Sequence, residues 1–472
     1  MSLITMKFGG TSMGSADAIK QVASIILENA QQGHRVVSVV SAMAGVTDTL
    51  IRSARDAEQG NVATYKQAAA QLHQRHVETV RALVSAANRR ESLIDEIRSL
   101  LDDFEQLCHS ISIMREVTPR GMDVVSSLGE RLSCRLLSAH LQDLGYDSQA
   151  FDSNYLVVTN DNFQNATPDM DATREKVQTK ILPAVESGLL PIITGFIGAT
   201  PNGTITTLGR GGSDYSGGII AAALPSDELW IWSDVDGVMT TDPRITPQAR
   251  TIATLSYGEV SEMAYFGAKV LHPRTILPVM DMGMPIRVLN TFNPTHPGTL
   301  LRPEPEIVPG TIKAITTVQD VHLVTVYGRG MVGVPGIAGR TFTAVARAGA
   351  SMLMFAQSSS EQSFCFVVPG STSQKVKKAI ERELALEIER KDVGGVDIAE
   401  EVVIVTTVGA GMRGTPGVAA RIFGALGQHN INVLVIAQGA SEYSVSMVVD
   451  KKDAVQAVQV LHDLVSNGKS RG

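Results

Sequence analysis

Residues 3–15 read Leu3-Ile4-Thr5-Met6-Lys7-Phe8-Gly9-Gly10-Thr11-Ser12-Met13-Gly14-Ser15. Leu3 to Phe8 is a short apolar strand, a glycine turn follows, and a helix is predicted from about Ser15 to Gln31. A strand that runs into adjacent glycines ahead of a helix turns several backbone N–H groups toward one point. The partial positive charge of the helix N-terminus adds to them, and the result is an anion nest. Lys7 would bring a point charge to a phosphate bound there. Gly9 to Gly14 has the glycine spacing of a Walker A loop, but Ser15 stands where lysine is required, so this is no P-loop. On local physics alone, an ordinary strand-to-helix turn with a solvated lysine accounts for the same residues equally well.

Outward from this stretch the pattern repeats. Arg35 to Ser41 is a valine-rich apolar run, the mark of a strand buried on both faces of a parallel sheet. No glycine or proline occurs between Gly60 and Pro119, so that segment should be mostly helical. A strand near Leu190 to Thr194, a hairpin turned at Pro201-Asn202-Gly203 and a strand near Leu229 to Ser233 follow. Strands alternating with helices indicate a layered α/β domain with a mostly parallel sheet.

Two further loops carry charged groups. In Leu208-Gly209-Arg210-Gly211-Gly212-Ser213-Asp214, Ser213 or Asp214 has a structural explanation as a helix cap. Arg210 between glycines suits bidentate binding of a carboxylate or phosphate. Asp234 and Asp236 follow the apolar strand that ends at Ser233, and Asp242 lies just beyond. Carboxylates at the C-terminal end of such a strand sit where α/β sheets bind ligands, and would hold ribose hydroxyls or a Mg²⁺-bound phosphate; a solvated turn is the plainer alternative. Lys269 would bind phosphate or cover a helix face. His272 has no histidine or cysteine at metal-ligand spacing and reads as structural.

The C-terminal part is organised differently. Pro294, Pro297, Pro303, Pro305 and Pro309 place five of the 19 prolines in one short stretch, which reads as a linker. Beyond it VHLVTVYGRGMVGVPGIAGRTF, from Val321, recurs as VVIVTTVGAGMRGTPGVAARIF, from Val402. Gly328 and Gly409, Pro335 and Pro416, and Gln357 and Gln438 are all 81 residues apart. A constant offset marks a duplicated fold. Each copy reads strand, glycine turn, helix, strand, strand, helix, a ferredoxin-like order. Both copies contain GxGxxG after a strand, but glutamine stands where a ribose-binding acid should be, so a dinucleotide site is rejected. In the first copy, Gln357 and the hydroxyls after it face the turn containing Met331 and Val332 in the expected topology. An amide, hydroxyls and turn N–H groups suit a small amino acid, with Met331, Val332, Gln357, Ser358 and Glu361 as contacts. A solvated polar loop is the simpler reading.

Composition narrows the classes. The 472 residues are 44% hydrophobic and 19% charged, ordinary for a globular protein of several domains. A net charge of −7 argues against nucleic acid as the main partner. Three scattered cysteines make no disulfide framework, which points to a reducing cytoplasm. The N-terminus lacks a signal peptide's apolar stretch and no run is long enough for a membrane span.

The motifs KFGGTSMGS, VVSAMAGVTD, SSLGERLS, TLGRGGSDYS, WSDVDGVMTTDPR and YFGAKVLHPRT stand together in this order. The chain thereby resembles aspartate kinase of the amino acid kinase superfamily over essentially its whole length, including two C-terminal ACT domains. The resemblance implies a carbamate kinase-like α/β domain over 1–292, a proline-rich linker over 293–310, a first ACT domain over 311–395, whose first residues pair with the second sheet, and a second over 396–472. With only a short tail after the second repeat, the monofunctional form is expected.

It also implies roles. Lys7 should contact the transferring phosphate and Asp214 should position Lys7. Ser41, Thr47, Glu130, Arg210 and Ser213 should bind L-aspartate, with Glu130 on its ammonium and Arg210 on a carboxylate. Gly9, Gly10, Ser233, Asp234, Met239, Arg244 and Lys269 should join Lys7 around ATP and its Mg²⁺, with no metal site made by the protein alone. Many relatives have tyrosine where this chain has Met239. The effector implied is threonine ahead of lysine, and a homodimer or higher homo-oligomer through the ACT domains is expected.

Overall fold

The computed structural model describes residues 2–267, 271, 273–359, 362–439 and 441–465. They form two compact units. The first runs to Val238 and includes Thr251–Tyr257 and the later chain up to Glu304. The second holds Met239–Arg250, a segment starting at Gly258, and the chain from Pro305 onward.

Among the described residues of the first unit there are ten strands: β1 Leu3–Phe8, β2 Arg35–Val40, β3 Ser148–Phe151, β4 Leu190–Thr194, β5 Ile197–Ala199, β6 Ile205–Thr207, β7 Glu228–Ser233, β8 Thr254–Ser256, β9 Ile286–Asn290 and β10 Thr299–Arg302. Eight make one sheet in the order β3-β4-β2-β1-β7-β9-β10-β8, and β5–β6 is a separate hairpin. Only β9–β10 pairs antiparallel within the large sheet. The non-sequential order follows from parallel pairing, which needs a crossover between neighbouring strands.

Helices cover both faces. Side chains alternate along β1, so Ile4, Met6 and Phe8 enter a core with the helices Ala16–Gln31, Val46–Glu58, Val62–Leu83, Ala87–Met114 and Pro119–Asp143. Leu3 enters the opposite core with Ile219 and Ile220 of the Gly212–Ala223 helix. Lys7 has the parity of Leu3. Its side chain therefore leaves β1 on the face of the Gly212–Ala223 helix, in register with Val39 and Ile231 near the C-terminal end of the parallel strands.

The proline-rich stretch differs from the linker expected over 293–310. Thr299–Arg302 is a strand of the large sheet, because the prolines flank it and leave four consecutive residues able to pair with β8 and β9.

The second unit has one six-stranded antiparallel sheet: β11 Ala314–Tyr327, β12 Met354–Gln357, β13 Ser363–Pro369, β14 Gly395–Val408, β15 Val433–Gln438 and β16 Ser444–Asp450, in the order β12-β13-β11-β14-β16-β15. Long β11 and β14 run side by side, with Ala314–Val318 against Ile404–Val408 and Leu323–Tyr327 against Gly395–Ala399. Each repeat's first strand thus extends into the sheet of the other, and a boundary at residue 395 cuts through a strand. The sheet's second face is not bare: Met354 and Val435, from its two edge strands, meet Val321, Val367, Ile404 and Val448 in one apolar cluster against which Phe266 packs. Thr240 joins this unit through its carbonyl, which accepts from Ile315 N–H, and its hydroxyl, 2.9 Å from His462 Nε2. Among the described residues no helix is long and apolar enough to cross a membrane.

Candidate active site

The first unit contains a cleft of about 450 Å³ at the C-terminal ends of β1, β2 and β4. Lys7, Gly10, Ser41, Thr47, Glu130, Arg210, Ser213 and Asp214 all line it. Four separate segments deliver them: the β1 turn, the β2 turn, the Pro119–Asp143 helix and the loop after β6.

Lys7 is buried and its ammonium pairs with Asp214 in the first turn of the Gly212–Ala223 helix. That helix has Gly211, at φ +71°, as its N-cap, and no side chain caps it. Neither Ser213 nor Asp214 is a cap. Asp214 is engaged with Lys7, and the uncapped N-terminus opens on the cleft. Gly217 makes the approach possible: a Cβ there would lie 3.0 Å from Lys7 Cβ.

In the β1 turn, Gly9 N–H donates to Trp232 O, continuing the β1–β7 pairing, and Met13 N–H returns to Gly9 O. The anion-binding part expected of Gly9 would require breaking a sheet bond. Gly10, which lines the cleft, is the better placed of the two. A Cβ on Gly10 would meet Ala42 O at 3.3 Å, so the β1 and β2 turns lie in direct contact. Ser15 caps the Ala16–Gln31 helix by accepting from Ala18 N–H.

The β2 turn is held by the buried face of the Pro119–Asp143 helix. Ser133 Oγ donates to Ser41 O at 2.6 Å. Gly129 lets the helix approach, since a Cβ there would stand 2.8 Å from Ala42 Cβ and 3.3 Å from Thr47 Oγ1. Glu130, one residue on, is 3% exposed. Burial pushes its carboxyl up from the usual range to about 7, against the pull of the Ala42 N–H, its own N–H, the Ser213 hydroxyl and the Lys7 charge. Ser213 Oγ lies 3.4 Å from Glu130 Oε1, while Oε2 is buried with no hydrogen-bond partner. Arg210 is exposed at the cleft and forms no ion pair among the described residues.

Ser233 ends β7, and exposed Asp234 follows it. Asp236 is engaged by the side-chain amides of Asn290 and Asn293. Met239 and Arg244 belong to the second unit, where Arg244 is largely exposed and forks onto Asp242. Lys269 lies outside the described residues. In the first repeat, Gly328 N–H bonds Gln362 O and Tyr327 pairs with Ser363, so the turns after β11 and β12 share one end of the sheet. Gln357, Ser358 and Val332 are exposed there, and Ser358 Oγ donates to Ser363 O. Met331 has its side chain in the apolar core, leaving only its backbone for a ligand. Glu361 lies outside the described residues.

Three residues of the site carry no motif in the sequence. Arg75, on the Val62–Leu83 helix, donates to Gly14 O and Ala44 O, both at 2.9 Å, and so ties the β1 and β2 turns together. Phe196 lines the cleft at φ +65°, a conformation rare for a bulky residue. Buried Asp123 holds the strand that leads to Arg210. No sequence signal marks Arg75 or Phe196. Asp123 could have been found as the polar residue seven before Glu130 on one helix face.

The amino acid kinase family model matches residues 2–290, and the ACT domain model matches 324–384 and 405–464. The chain is 36% identical to the chloroplastic bifunctional aspartokinase/homoserine dehydrogenase 1 of Zea mays over 97% of its own length, and spans 50% of that protein. It is 29% identical to the aspartokinase of Schizosaccharomyces pombe, over 97% of this chain and 92% of that one. Among solved structures it is similar to E. coli aspartokinase III in complex with aspartate and ADP, described as the R-state. The TM-score there is 0.80, with 31% identity, 98% of this chain and 99% of that chain covered. The same E. coli enzyme with lysine and aspartate, described as the T-state, gives 0.79. The chain spans about half the length of the bifunctional relatives it matches and nearly all of the E. coli enzyme. On the match over residues 2–290 and the paired repeats behind it, the chain belongs to the amino acid kinase family, in its aspartokinase group.

Proposed function

We propose that the chain transfers the γ-phosphoryl group of ATP to the side-chain carboxylate of L-aspartate, giving 4-phospho-L-aspartate and ADP. The observation that carries this reading is Glu130 Oε2, a buried acceptor without a partner on the wall of a cleft that also holds Lys7 and Arg210. A substrate that brings both an ammonium and carboxylates satisfies all three groups. The E. coli relative was solved with aspartate and ADP, which supports the same assignment.

The chemistry needs few parts. A free aspartate side chain has a pKa of about 3.9, so the nucleophile is already ionised at pH 7 and no general base is required. The obstacle is bringing an anion up to a polyphosphate, and catalysis is then positioning plus charge stabilisation. Arg210 would hold a carboxylate, Glu130 the ammonium, and Ser41, Thr47 and Ser213 the remaining polar edge. Lys7, oriented by Asp214, would neutralise charge on the transferring group. Gly10 and the uncapped helix N-terminus would add N–H donors, and Ser233 and Asp234 would lie toward the nucleotide. Mg²⁺ bound to the phosphates supplies further charge neutralisation. Mg²⁺ characteristically keeps several waters and binds through substrate phosphates, so ATP itself would be its main holder here.

The rivals are a related kinase acting on glutamate, N-acetylglutamate or a nucleotide, and an amino-acid sensor without catalysis. ADP release with aspartate and then with glutamate separates them. Turnover of aspartate well above glutamate is expected; equal turnover, or none, would reject the proposal. On this reading the product would open lysine, threonine and methionine synthesis, as the resemblance implies. We also read the repeats as an effector-binding module for an amino acid and as the joint of a homodimer or higher oligomer. The exposed Phe355, Leu434 and Ile436 on edge strands β12 and β15 support the oligomer. Light scattering of a monomer at micromolar concentration would exclude it.

A further inference from the structure

Asp123 is a carboxylate with no solvent exposure. It accepts three donors: Thr207 N–H at 3.0 Å on Oδ2, Thr207 Oγ1–H at 2.7 Å on Oδ1, and Gln164 N–H, shared between both oxygens at 3.0 and 3.1 Å. No cation is among the groups that act on its charge, and burial raises its pKa against those hydrogen bonds. A carboxylate buried among neutral donors costs stability, and simple packing of a helix on a hairpin does not call for one.

What the three bonds grip gives the carboxylate a purpose. Thr207 ends β6 three residues before Arg210. Gln164 is held at φ +65°, and its carbonyl lies 2.8 Å from where a Cβ of Gly209 would stand. The Gln164 loop is therefore the floor under Gly209-Arg210. The other end of the connection is Glu130, seven residues after Asp123 on the same helix, which is about two turns and roughly 10 Å of rigid rod.

We propose that Asp123 is a positioning residue for the amino-acid substrate: it locks the loop bearing Arg210 to the helix bearing Glu130, and so sets the span between the group that takes a substrate carboxylate and the group that takes its ammonium. That span selects a substrate of aspartate's length over one with an extra methylene. The inference rests on the reading of Glu130 and Arg210 given above.

The geometry separates two substitutions. In Asp123→Asn the amide oxygen takes the Thr207 and Gln164 N–H groups, and the amide NH₂ donates to Thr207 Oγ1, whose hydroxyl turns to accept. The clamp survives. In Asp123→Ala three buried donors lose their acceptor. ADP release by the full chain is measured for wild type, both variants and Thr207→Val. Asp123→Ala should raise KM for aspartate tenfold or more with KM for ATP within twofold, and should lower the preference for aspartate over glutamate. Asp123→Asn should stay within threefold of wild type, and Thr207→Val, missing one of three donors, should fall between. An asparagine variant as impaired as the alanine variant, or KM for ATP rising in step with KM for aspartate, overturns the proposal. If the alanine variant does not fold, Thr207→Val decides: its KM for aspartate must rise and its KM for ATP must not. A wild-type chain that releases no ADP with aspartate overturns the substrate reading and this inference together. Active wild type with unsplit KM values overturns this inference alone.

Discussion

At the scale of single residues, two side chains in the cleft are tuned by their surroundings in ways that kinetics can read. Lys7 is a buried cation whose partner Asp214 stands on the first turn of a helix. Its charge matters most as the phosphoryl group moves, so Lys7→Ala should cost about 3 kcal/mol, on the order of a hundredfold in turnover, with the fold intact. A folded variant within threefold of wild type would remove Lys7 from the mechanism. Glu130 offers a pH test. Burial lifts its carboxyl to about 7, and the neutral acid cannot pair with an ammonium. Turnover at low aspartate reports the free enzyme, so kcat/KM for aspartate should rise from pH 6 to 8 with an inflection near 7. Glu130→Gln should flatten that rise and raise KM for aspartate by the equivalent of roughly 2–5 kcal/mol, far more than KM for ATP. The stability sign follows from linkage. Because the folded pKa lies above the unfolded one, this group's contribution to stability is fully present below about 4.5 and is lost as pH rises through 7. The ligand-free wild type should lose thermal stability relative to Glu130→Gln over that window. A pH profile identical in the two proteins would show that Glu130 does not titrate there.

At the scale of elements, the site depends on how closely one helix lies on two turns. Gly129 faces Ala42 Cβ and Thr47 Oγ1, and the helix beside it carries Asp123, Glu130 and Ser133 toward the same loops. Gly129→Ala improves helix propensity but places a methyl 2.8 Å from Ala42 Cβ. Overpacking of this kind costs about 1–3 kcal/mol, and here the turn bearing Ser41 and Thr47 must move. KM for aspartate should rise several-fold while the helical circular dichroism signal stays unchanged; an unaltered KM would mean that the turn does not contact substrate. The same packing explains what was legible in the sequence. Strands β1, β2, β4 and β7 announced themselves because continuous apolar runs between glycine turns have few other uses. Arg210 stood out because a charge between glycines has no packing role, whereas Lys7 read equally well as a solvated lysine on local physics. The Ser213–Asp214 cap reading failed because the Lys7 partner lies 207 residues away, beyond any local pattern. Arg75 looked like one more arginine on an amphipathic helix; only the fold brings Gly14 O and Ala44 O under it. β10 was hidden by prolines that flank it without interrupting it.

At the scale of the whole molecule, the division into units does not follow the division into sequence motifs, and this bears on regulation. Met239–Arg250 and the segment from Gly258, which lie between strands of the large sheet in the chain, pack with the repeats. Glu259 is fully buried there, accepting from Lys313 Nζ and from Ala410 N–H. Ala410 is the counterpart, 81 residues on, of Arg329 in the first repeat. In the second repeat the glycine turn is therefore already occupied by a carboxylate of the chain itself. In the first repeat the counterpart Arg329 is exposed instead, at the same end of the sheet as exposed Val332, Gln357 and Ser358. An amino-acid effector is accordingly expected at the first repeat. The sequence reading put threonine first, and the E. coli relative solved with lysine requires that lysine be titrated beside it. A ligand with equal affinity for two states shifts nothing, so an effector bound at Gln357 would inhibit only by binding an inhibited state better than the active one. The chain passes between the two units at Val238–Met239 and again at Arg250–Thr251. Gln357→Ala should raise the inhibitory concentration of the effector at least tenfold and leave uninhibited turnover within twofold. If the wild type responds to threonine or lysine and the variant stays equally sensitive, the sensor lies elsewhere; if neither amino acid inhibits the wild type, the repeats answer to a different ligand.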